Sequence, residues 1–379
     1  MLIETLTPAY LTNWGAAYRG DSLDLLPLLP DSSVNLVLTS PPFALQRKKE
    51  YGNKAQTEYV AWLANFARLV HRKLRDDGSF VLDLGGAYEP GSPTRSLYNF
   101  RVAIQFCDEL GFHLAEDFYW HNPSKLPSPI EWVNKRKLRA KDSVNTVWWF
   151  GKTRWPKADV SKVLTQYSDR MKKLLEDPDG FYKPKKRPSG HDIGRAFGKD
   201  NGGAIPPNLL QIPNSESNGS YLRGCKAVRA KQHPARFPAK LPQFFIRFLT
   251  EPGDLVVDIF AGSNTTGYVA ECEGRKWLAF DDRLDYLAAS SFRFFGEAAT
   301  DAELKAAHDA ILDGKIADLR RDVFRTPRQP LRNGPTHKPE APSQGVLVLE
   351  ESAAALPPRI QRLTKRVSYK RRRPVSKTT

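Results

Sequence analysis

The sequence predicts an α/β protein built on a mostly parallel sheet, and three observations carry that prediction. Apolar runs of strand length alternate with segments of helical periodicity up to about residue 150 and again from about 237 to 295. Two of those runs end in turns rich in proline or glycine, Thr39-Ser40-Pro41-Pro42-Phe43 and Ala261-Gly262-Ser263-Asn264-Thr265-Thr266-Gly267. The 379 residues, 40% hydrophobic and including 20 phenylalanines, suffice for one large domain with an inserted lobe.

In chain order, residues 1–16 read as a loosely ordered entry. Residues 18–22 end a short strand at a polar turn, and a small helix begins at Leu23. Asp21 either caps that helix or, as an acid at a strand's carboxyl end, faces a ligand. Val34-Asn35-Leu36-Val37-Leu38 reads as a buried strand, which two successive prolines force out of the sheet. The basic loop 44–55, with Arg47, Lys48 and Lys49, follows directly. Val60, Leu63, Ala67, Val70 and Leu74 then mark one face of a helix stopped by Asp76-Asp77-Gly78. Residues 79–84 form a strand ending in Gly85-Gly86. A helix over 98–110, a strand over 112–120, a proline-rich then basic stretch at 121–143 and a strand over 144–150 complete the first half.

From 151 to 232 Pro, Gly, Asn and Ser accumulate and helical periodicity weakens. Phe197, Ile205, Leu209, Leu210, Ile212 and Tyr221 give this stretch something to bury, so it reads as an ordered, loop-rich lobe. The α/β pattern then resumes with a helix over 237–250, a strand over 254–260, the glycine turn and a helix through Cys272. A strand over 276–280 ends in Asp281-Asp282, and 284–295 is helical. Residues 301–325 read as a helical extension and 326–379 as a disordered basic tail.

The net charge of +16 is unevenly placed. Residues 151–232 carry 17 Lys/Arg against 8 Asp/Glu, and residues 356–379 carry nine Lys/Arg and no acid. Two concentrated surpluses beside a near-neutral body point to a polyanion. A membrane surface fits less well, because the middle surplus is broken by Pro and Gly rather than forming a basic amphipathic helix. No apolar stretch approaches the ~20 residues that span a bilayer, and no basic-then-apolar signal opens the chain. Cys107, Cys225 and Cys272 lie far apart, with no zinc-type spacing, so the chemistry is expected to be metal-free and the compartment reducing, as in a bacterial-type cytoplasm.

The two turns suggest complementary chemistry. Ser40 offers a hydroxyl, Pro41 a carbonyl and Phe43 a flat ring: two acceptors and a stacking face for a planar heterocycle bearing an exocyclic amine. The second turn, between a strand and a helix, is the usual architecture of a nucleotide-type site. It lacks both Gly-x-x-x-x-Gly-Lys-[Ser/Thr] and Gly-x-Gly-x-x-Gly, which argues against nucleoside triphosphates and dinucleotides. Asp281, or its neighbour Asp282, stands where a ribose diol would be held. A ribose and a carboxylate without phosphates fit S-adenosylmethionine. Since ligands of open α/β sheets lie beyond the strands' carboxyl ends, both turns are expected at one site if the two halves share a sheet.

Taken together, Ser40-Pro41-Pro42-Phe43 ahead of Phe260-Ala261-Gly262-Ser263-Asn264-Thr265-Thr266-Gly267 resembles the β group of amino-methylating DNA methyltransferases. Ser-Pro-Pro-Phe is similar to the cytosine-N4 members. The resemblance covers about residues 18–295 and includes 39–52, 122–135, 188–194, 201–211 and 233–241. It implies a Rossmann-like methyltransferase sheet with circularly permuted motif order: a catalytic half at 1–150, an inserted target-recognition region at 151–232 and a cofactor half at 233–300. Ser40, Pro41, Pro42 and Phe43 are then the catalytic motif. Asp21, His233, Phe237, Asp258, Phe260, Gly262, Ser263, Asn264, Thr265 and Asp281 are the expected S-adenosylmethionine contacts, with Asp281 standing where the family has Glu. Arg47, Lys48, Lys49, Lys183, Lys185, Lys186, Arg187, His191 and Asn201 are the expected DNA contacts. Because the resemblance extends into 151–232, it also implies a target, the palindrome CAGCTG methylated at its inner cytosine, and a restriction endonuclease as functional rather than physical counterpart.

Carbon-5 methylation is disfavoured, because it needs a nucleophilic cysteine after a proline and none of the three cysteines follows one. Adenine-N6 methylation poses the same geometric problem and is the alternative within enzymes. A non-catalytic DNA-binding regulator on the same fold is the alternative outside them. Asp83 and the pair Trp148-Trp149 read first as structural residues, and second as parts of the pocket.

Overall fold

Successive residues of the central strands point to opposite sides, and both sides are buried. Val37, Phe80, Leu82, Val257, Leu278 and Phe280 belong to one core, while Leu36, Leu38, Val81, Val256, Trp277 and Ala279 belong to another. Continuous apolar runs without alternation are what a parallel sheet covered by helices on both faces requires. The computed structural model describes residues 3–44, 56–181, 188, 198–215 and 219–320. All of them fall within one compact unit.

The strands are β1 (Tyr10–Leu11), β2 (Gly15–Arg19), β3 (Val34–Thr39), β4 (Leu74–Gly85), β5 (His113–His121), β6 (Val144–Gly151), β7 (Leu209–Gln211), β8 (Leu255–Asp258), β9 (Lys276–Asp281) and β10 (Ala317–Asp318). The α-helices are α1 (Ser22–Leu25), α2 (Gln56–Lys73), α3 (Tyr98–Asp108), α4 (Asp169–Glu176), α5 (Pro178–Phe181), α6 (Ser220–Val228), α7 (Lys240–Leu249), α8 (Thr265–Cys272), α9 (Leu284–Ser290) and α10 (Asp301–Leu312). Among the described residues these strands form one sheet in the order β10-β1-β2-β9-β8-β3-β4-β6-β5-β7. Strands β2, β9, β8, β3 and β4 run parallel, and β6 is antiparallel to both its neighbours. The core of α2 and α3 covers one face, and α7, α8 and α9 cover the other.

The two halves of the chain meet between β3 and β8, which pair in parallel through Leu36–Val256 and Val37–Val257. From β3 the chain crosses outward to β4, and from β8 it crosses the other way to β9. Such a reversal opens a crevice beyond the strands' carboxyl ends.

Several sequence expectations need correction. The entry is not loose: Ile3, Tyr10 and Leu11 are buried, and β1 pairs with β2 and with β10, some 300 residues away. Asp76-Asp77-Gly78 does not form a loop after α2. It lies inside β4, where the register with β3 shifts between Val34 and Leu36, so the helix passes into the strand directly. α7 begins at Lys240 rather than 237, in keeping with the bias of a residue that precedes proline, here Phe237, away from helical dihedrals. Residues 284–295 divide into α9 and a 3-10 turn, Ser291–Phe294.

The stretch 151–232 has no separate core among the described residues. Leu210 and Ile212 join the second face of the main sheet, and Tyr221 packs with Phe292 and Leu304. Ile205 and Leu209 are exposed, and Phe197 lies outside the described residues. Trp148 and Trp149 are both buried in the core, where Trp149 Nε1 donates to Ser79 Oγ at 2.9 Å.

Candidate functional site

Beyond Thr39 the two prolines lift the backbone off β3, and Ser40, Pro41, Pro42 and Phe43 line a cleft of about 1400 Å³. Ser40 Oγ donates to Asp83 Oδ2 at 3.1 Å, and Asn145 Nδ2 donates to Asp83 Oδ1 at 3.0 Å. Asp83 ends the apolar run of β4 and Asn145 begins β6, so three neighbouring strands supply this chain of polar groups. Burial pushes the Asp83 carboxyl up to about 6, against the two hydrogen bonds that favour its charged form. The Phe43 ring packs over Gly85, where a Cβ would overlap it. Gly85 is therefore a seat for that ring, and Tyr98 Oη fastens the seat by donating to the Gly85 carbonyl.

On the other side of the crevice, Asp258 ends β8 fully buried. Its Oδ1 accepts from Thr39 Oγ1 at 2.6 Å and from the Phe260 nitrogen at 3.1 Å, and its Oδ2 accepts from Thr266 Oγ1 at 2.7 Å. The turn that follows passes through two left-handed residues, Gly262 with φ 50° and Asn264 with φ 48°. Asn264 pays the conformational cost as the N-cap of α8: its Oδ1 accepts from the Gly267 nitrogen at 3.0 Å and its Nδ2 donates to Tyr10 Oη at 2.8 Å. Gly262 faces the His233 ring, which a Cβ there would approach to 3.0 Å. Burial holds His233 down at about 4, so it is a neutral imidazole, its Nδ1 2.6 Å from the Ala235 carbonyl.

Asp281 ends β9. Its Oδ2 accepts from the Gly262 nitrogen at 2.7 Å and its Oδ1 from the Arg283 nitrogen at 3.0 Å. Burial raises its carboxyl to about 7. Phe260 stacks at an angle against Phe66 and Trp62, with centroids 4.9 and 5.6 Å apart, giving the cleft an aromatic wall from α2.

Of the residues singled out in the sequence, Asp21, Ser40, Pro41, Pro42, Phe43, His233, Phe237, Phe260, Gly262, Ser263, Thr265 and Asp281 all line this one cleft. Asp21 also caps α1, accepting from the Leu23 nitrogen at 2.8 Å, while it lies on the cleft wall. Asp258 and Asn264 do not line the cleft. Their side chains turn inward and hold the turn's shape, which is the correction to their expected role as contacts. Asn201 is exposed in a turn held by Tyr167 and also does not line it. Arg47, Lys48, Lys49, Lys183, Lys185, Lys186, Arg187 and His191 lie outside the described residues.

Asp83, whose second reading from the sequence is as part of the pocket, lines the cleft and holds Ser40; its place near a strand end, two residues before Gly85-Gly86, is the signal for it. Asn145, Tyr286 and the loop from 122 to 143 were not singled out as cleft residues. Among the described residues no helix is long and apolar enough to cross a membrane.

Comparison with known proteins places this geometry. The sequence profile of a family described as DNA methylase, the N6/N4 methyltransferases, matches residues 34–291. The type II methyltransferase M.PvuII of Proteus hauseri is 67% identical over 312 residues, which are 82% of this chain and 93% of that protein. M.ScaI of Streptomyces caespitosus is 26% identical over 293 residues, 77% of this chain and 84% of its own. Among solved structures, PvuII DNA methyltransferase, described as cytosine-N4-specific, superposes with a TM-score of 0.69 and 56% identity. That superposition covers 83% of this chain and 98% of the other.

Proposed function

The chain belongs to the N6/N4 DNA methylase family, and from that premise we propose that it methylates the N4 amine of a cytosine in duplex DNA, using S-adenosylmethionine. The observation that carries this reading is that Ser40-Pro41-Pro42-Phe43 and the glycine turn leave adjacent parallel strands at one crevice. An acceptor set for an amine and a cradle for an amino-acid nucleoside thereby face each other. The cytosine-N4-specific relative, whose length is almost fully covered, supports the choice of base.

The residues present fit the cofactor. Gly262 keeps the turn open beside the neutral His233, Asp281 presents a carboxylate beside the turn, and Phe260 offers a flat apolar wall. When bound, S-adenosylmethionine supplies an electrophilic methyl group. A base paired inside a duplex cannot reach the bottom of this cleft, so the target is flipped out, at a cost of a few kcal/mol. Phe43, seated on Gly85, stacks on it. Ser40 Oγ, whose proton is committed to Asp83, and the Pro41 carbonyl accept the two amine hydrogens. Those bonds pull the nitrogen out of conjugation with the ring and direct its lone pair across the cleft. Asp83 sets the direction of the Ser40 hydroxyl, and Asn145 holds Asp83.

The target sequence we infer is CAGCTG, methylated at its inner cytosine, and the chain's place is the modification half of a type II restriction–modification system; the 67% identity to M.PvuII supports both. Residues 151–232 serve as the target-recognition region and the motif order is the permuted one, cofactor half last. Incubating the protein with S-adenosylmethionine and plasmid DNA, then separating nucleosides by mass spectrometry, tests the reading. N4-methylcytosine is the expected product. N6-methyladenine would transfer the same geometry to the other base, and no methylated nucleoside would leave only DNA binding.

A further inference from the structure

We propose that the loop joining β5 to β6, residues 122–143, is a preformed finger that enters the DNA, and that Ile130 on it occupies the gap left in the base stack by the extruded base. The proposal rests on the reading of this chain as a base-flipping methyltransferase. It assigns a residue that neither turn motif contains.

The topology places the finger. β5 and β6 are antiparallel neighbours, and β6 is antiparallel to β4, so the loop leaves the sheet at the same end as Ser40 and the glycine turn. Lys125, Pro129, Ile130, Trp132 and Lys135 line the catalytic cleft. The loop is built rather than slack. At its base the Asn122 nitrogen donates to the Ser143 carbonyl at 2.8 Å, and Asn122 Oδ1 accepts from the Ser124 and Asn214 nitrogens, each at 3.1 Å. Across its middle the Asp142 nitrogen donates to the Ser128 carbonyl at 2.9 Å. Arg95 clamps Asp142 with two bonds of 3.0 Å, and Arg139 Nε donates to the Pro93 carbonyl at 2.9 Å.

On this rigid frame the side chains are arranged against the rule for a solvated loop. Ile130 is 62% exposed and Leu126 is 81% exposed. Around them stand six Lys/Arg and only two acids in 122–142. An apolar tip flanked by cations, at the mouth of a cleft that must receive a base, matches a duplex: phosphates meet the cations and the unstacked step meets the apolar side chain. Of the exposed apolar residues on the loop, Ile130 is the one that also lines the cleft. It is therefore the side chain placed to follow the base into the stack. A membrane surface would meet the same charges, but not with the apolar group beside a base pocket.

A wedge acts on flipping, not on the chemistry after it, and that separates it from a merely structural residue. The test compares wild type, Ile130→Ala and Ile130→Leu in single-turnover methylation of two duplexes. Both carry the site that the wild type methylates on plasmid DNA, one fully paired and one with the nucleotide opposite the target made abasic. The alanine variant should be slower by about tenfold on the paired duplex, the equivalent of about 1.4 kcal/mol of lost stacking, and should recover most of that on the abasic one. Leucine should stay near wild type, and cofactor affinity by calorimetry should not change. An alanine variant as fast as wild type on the paired duplex, or equally slowed on both, overturns the proposal. Wild-type methylation of adenine would refute the base assigned above, while the same comparison on the adenine site would still decide the role of Ile130.

Discussion

Thr39, the last residue of β3, donates its hydroxyl to Asp258, the last residue of β8, at 2.6 Å. One side chain belongs to the segment that presents Ser40, and the other opens the glycine turn and also holds Thr266 of α8. The two halves of the site, already joined by the pairing of β3 with β8, are thus also tied through one buried carboxylate. Asp258→Ala would strand two hydroxyls and the Phe260 nitrogen, each worth about 1–3 kcal/mol when buried without a partner. Urea unfolding should show a loss of at least about 3 kcal/mol, and cofactor binding should fail with it. Asp258→Asn keeps one acceptor oxygen and should lose less; equal losses for the two variants would mean that packing, not hydrogen bonding, dominates there.

Ser40 and Asp83 should behave as one unit. Ser40→Ala removes an acceptor for the amine, and Asp83→Ala removes the group that orients the hydroxyl. Each should slow methyl transfer by about 10²–10³, a loss of about 3–4 kcal/mol typical of one preorganised polar partner. The double variant should be little worse than either single one, since residues that share one interaction are not additive. Strict additivity in single-turnover rates would separate their roles. S-adenosylmethionine affinity should be unchanged in all three.

Gly85→Ala tests the seat of the stacking ring. A methyl group there overlaps Phe43, so the ring must shift while Ser40 and the glycine turn stay in place. Methyl transfer should fall as far as in Phe43→Ala, where stacking worth about 1–3 kcal/mol per base is lost. Normal turnover in Gly85→Ala would place the functional position of Phe43 elsewhere.

Cofactor binding should depend on pH through Asp281. Burial raises its carboxyl to about 7, so in the cofactor-free protein the group is charged above that pH and neutral below it. A ribose hydroxyl donates better to the carboxylate, as do the Gly262 and Arg283 nitrogens. Affinity should therefore be full at pH 8 and fall as pH drops through about 7. Stability of the free protein responds with the opposite sign. A carboxyl raised above its unfolded value penalises the fold once charged, so this group's contribution favours the fold more at pH 6 than at pH 8. Calorimetric titrations at a series of pH values check the first part. In Asp281→Asn the dependence should flatten, and a slope that persists there would belong to another group.

The fold and the heart of the site were legible because their signals are local. Two prolines after an apolar run, or a glycine turn followed by a strand ending in acid, specify backbone geometry whatever surrounds them. What escaped was set by distant partners. β1 is two residues long and exists because it pairs with β2 and with β10, near residue 317. Asp258 and Asn264 sit in the motif, yet their side chains turn inward, and only Thr39, Thr266 and Tyr10 reveal that direction. The loop at 122–143 read as proline-rich and basic, and nothing local said that its ends belong to adjacent strands at the mouth of the cleft.

The two basic regions should divide affinity from specificity. Phosphate contacts give salt-dependent binding that is blind to sequence, whereas contacts to base edges discriminate. Residues 356–379 carry nine Lys/Arg and no acid, and lie beyond the 34–291 matched by the family. Residues 151–232 mix their cations with Asn, Gln, Ser and aromatic side chains, the kinds that pair with base edges in the major groove. Deleting 356–379 should therefore weaken binding to all DNA and flatten its salt dependence, while the methylated site stays the same. Exchanging 151–232 for the corresponding part of a relative with another target should change or abolish the site. Methylome sequencing of cells expressing each variant reads both outcomes. A tail deletion that altered the methylated sequence would overturn the division, because it would place base-edge contacts in the tail.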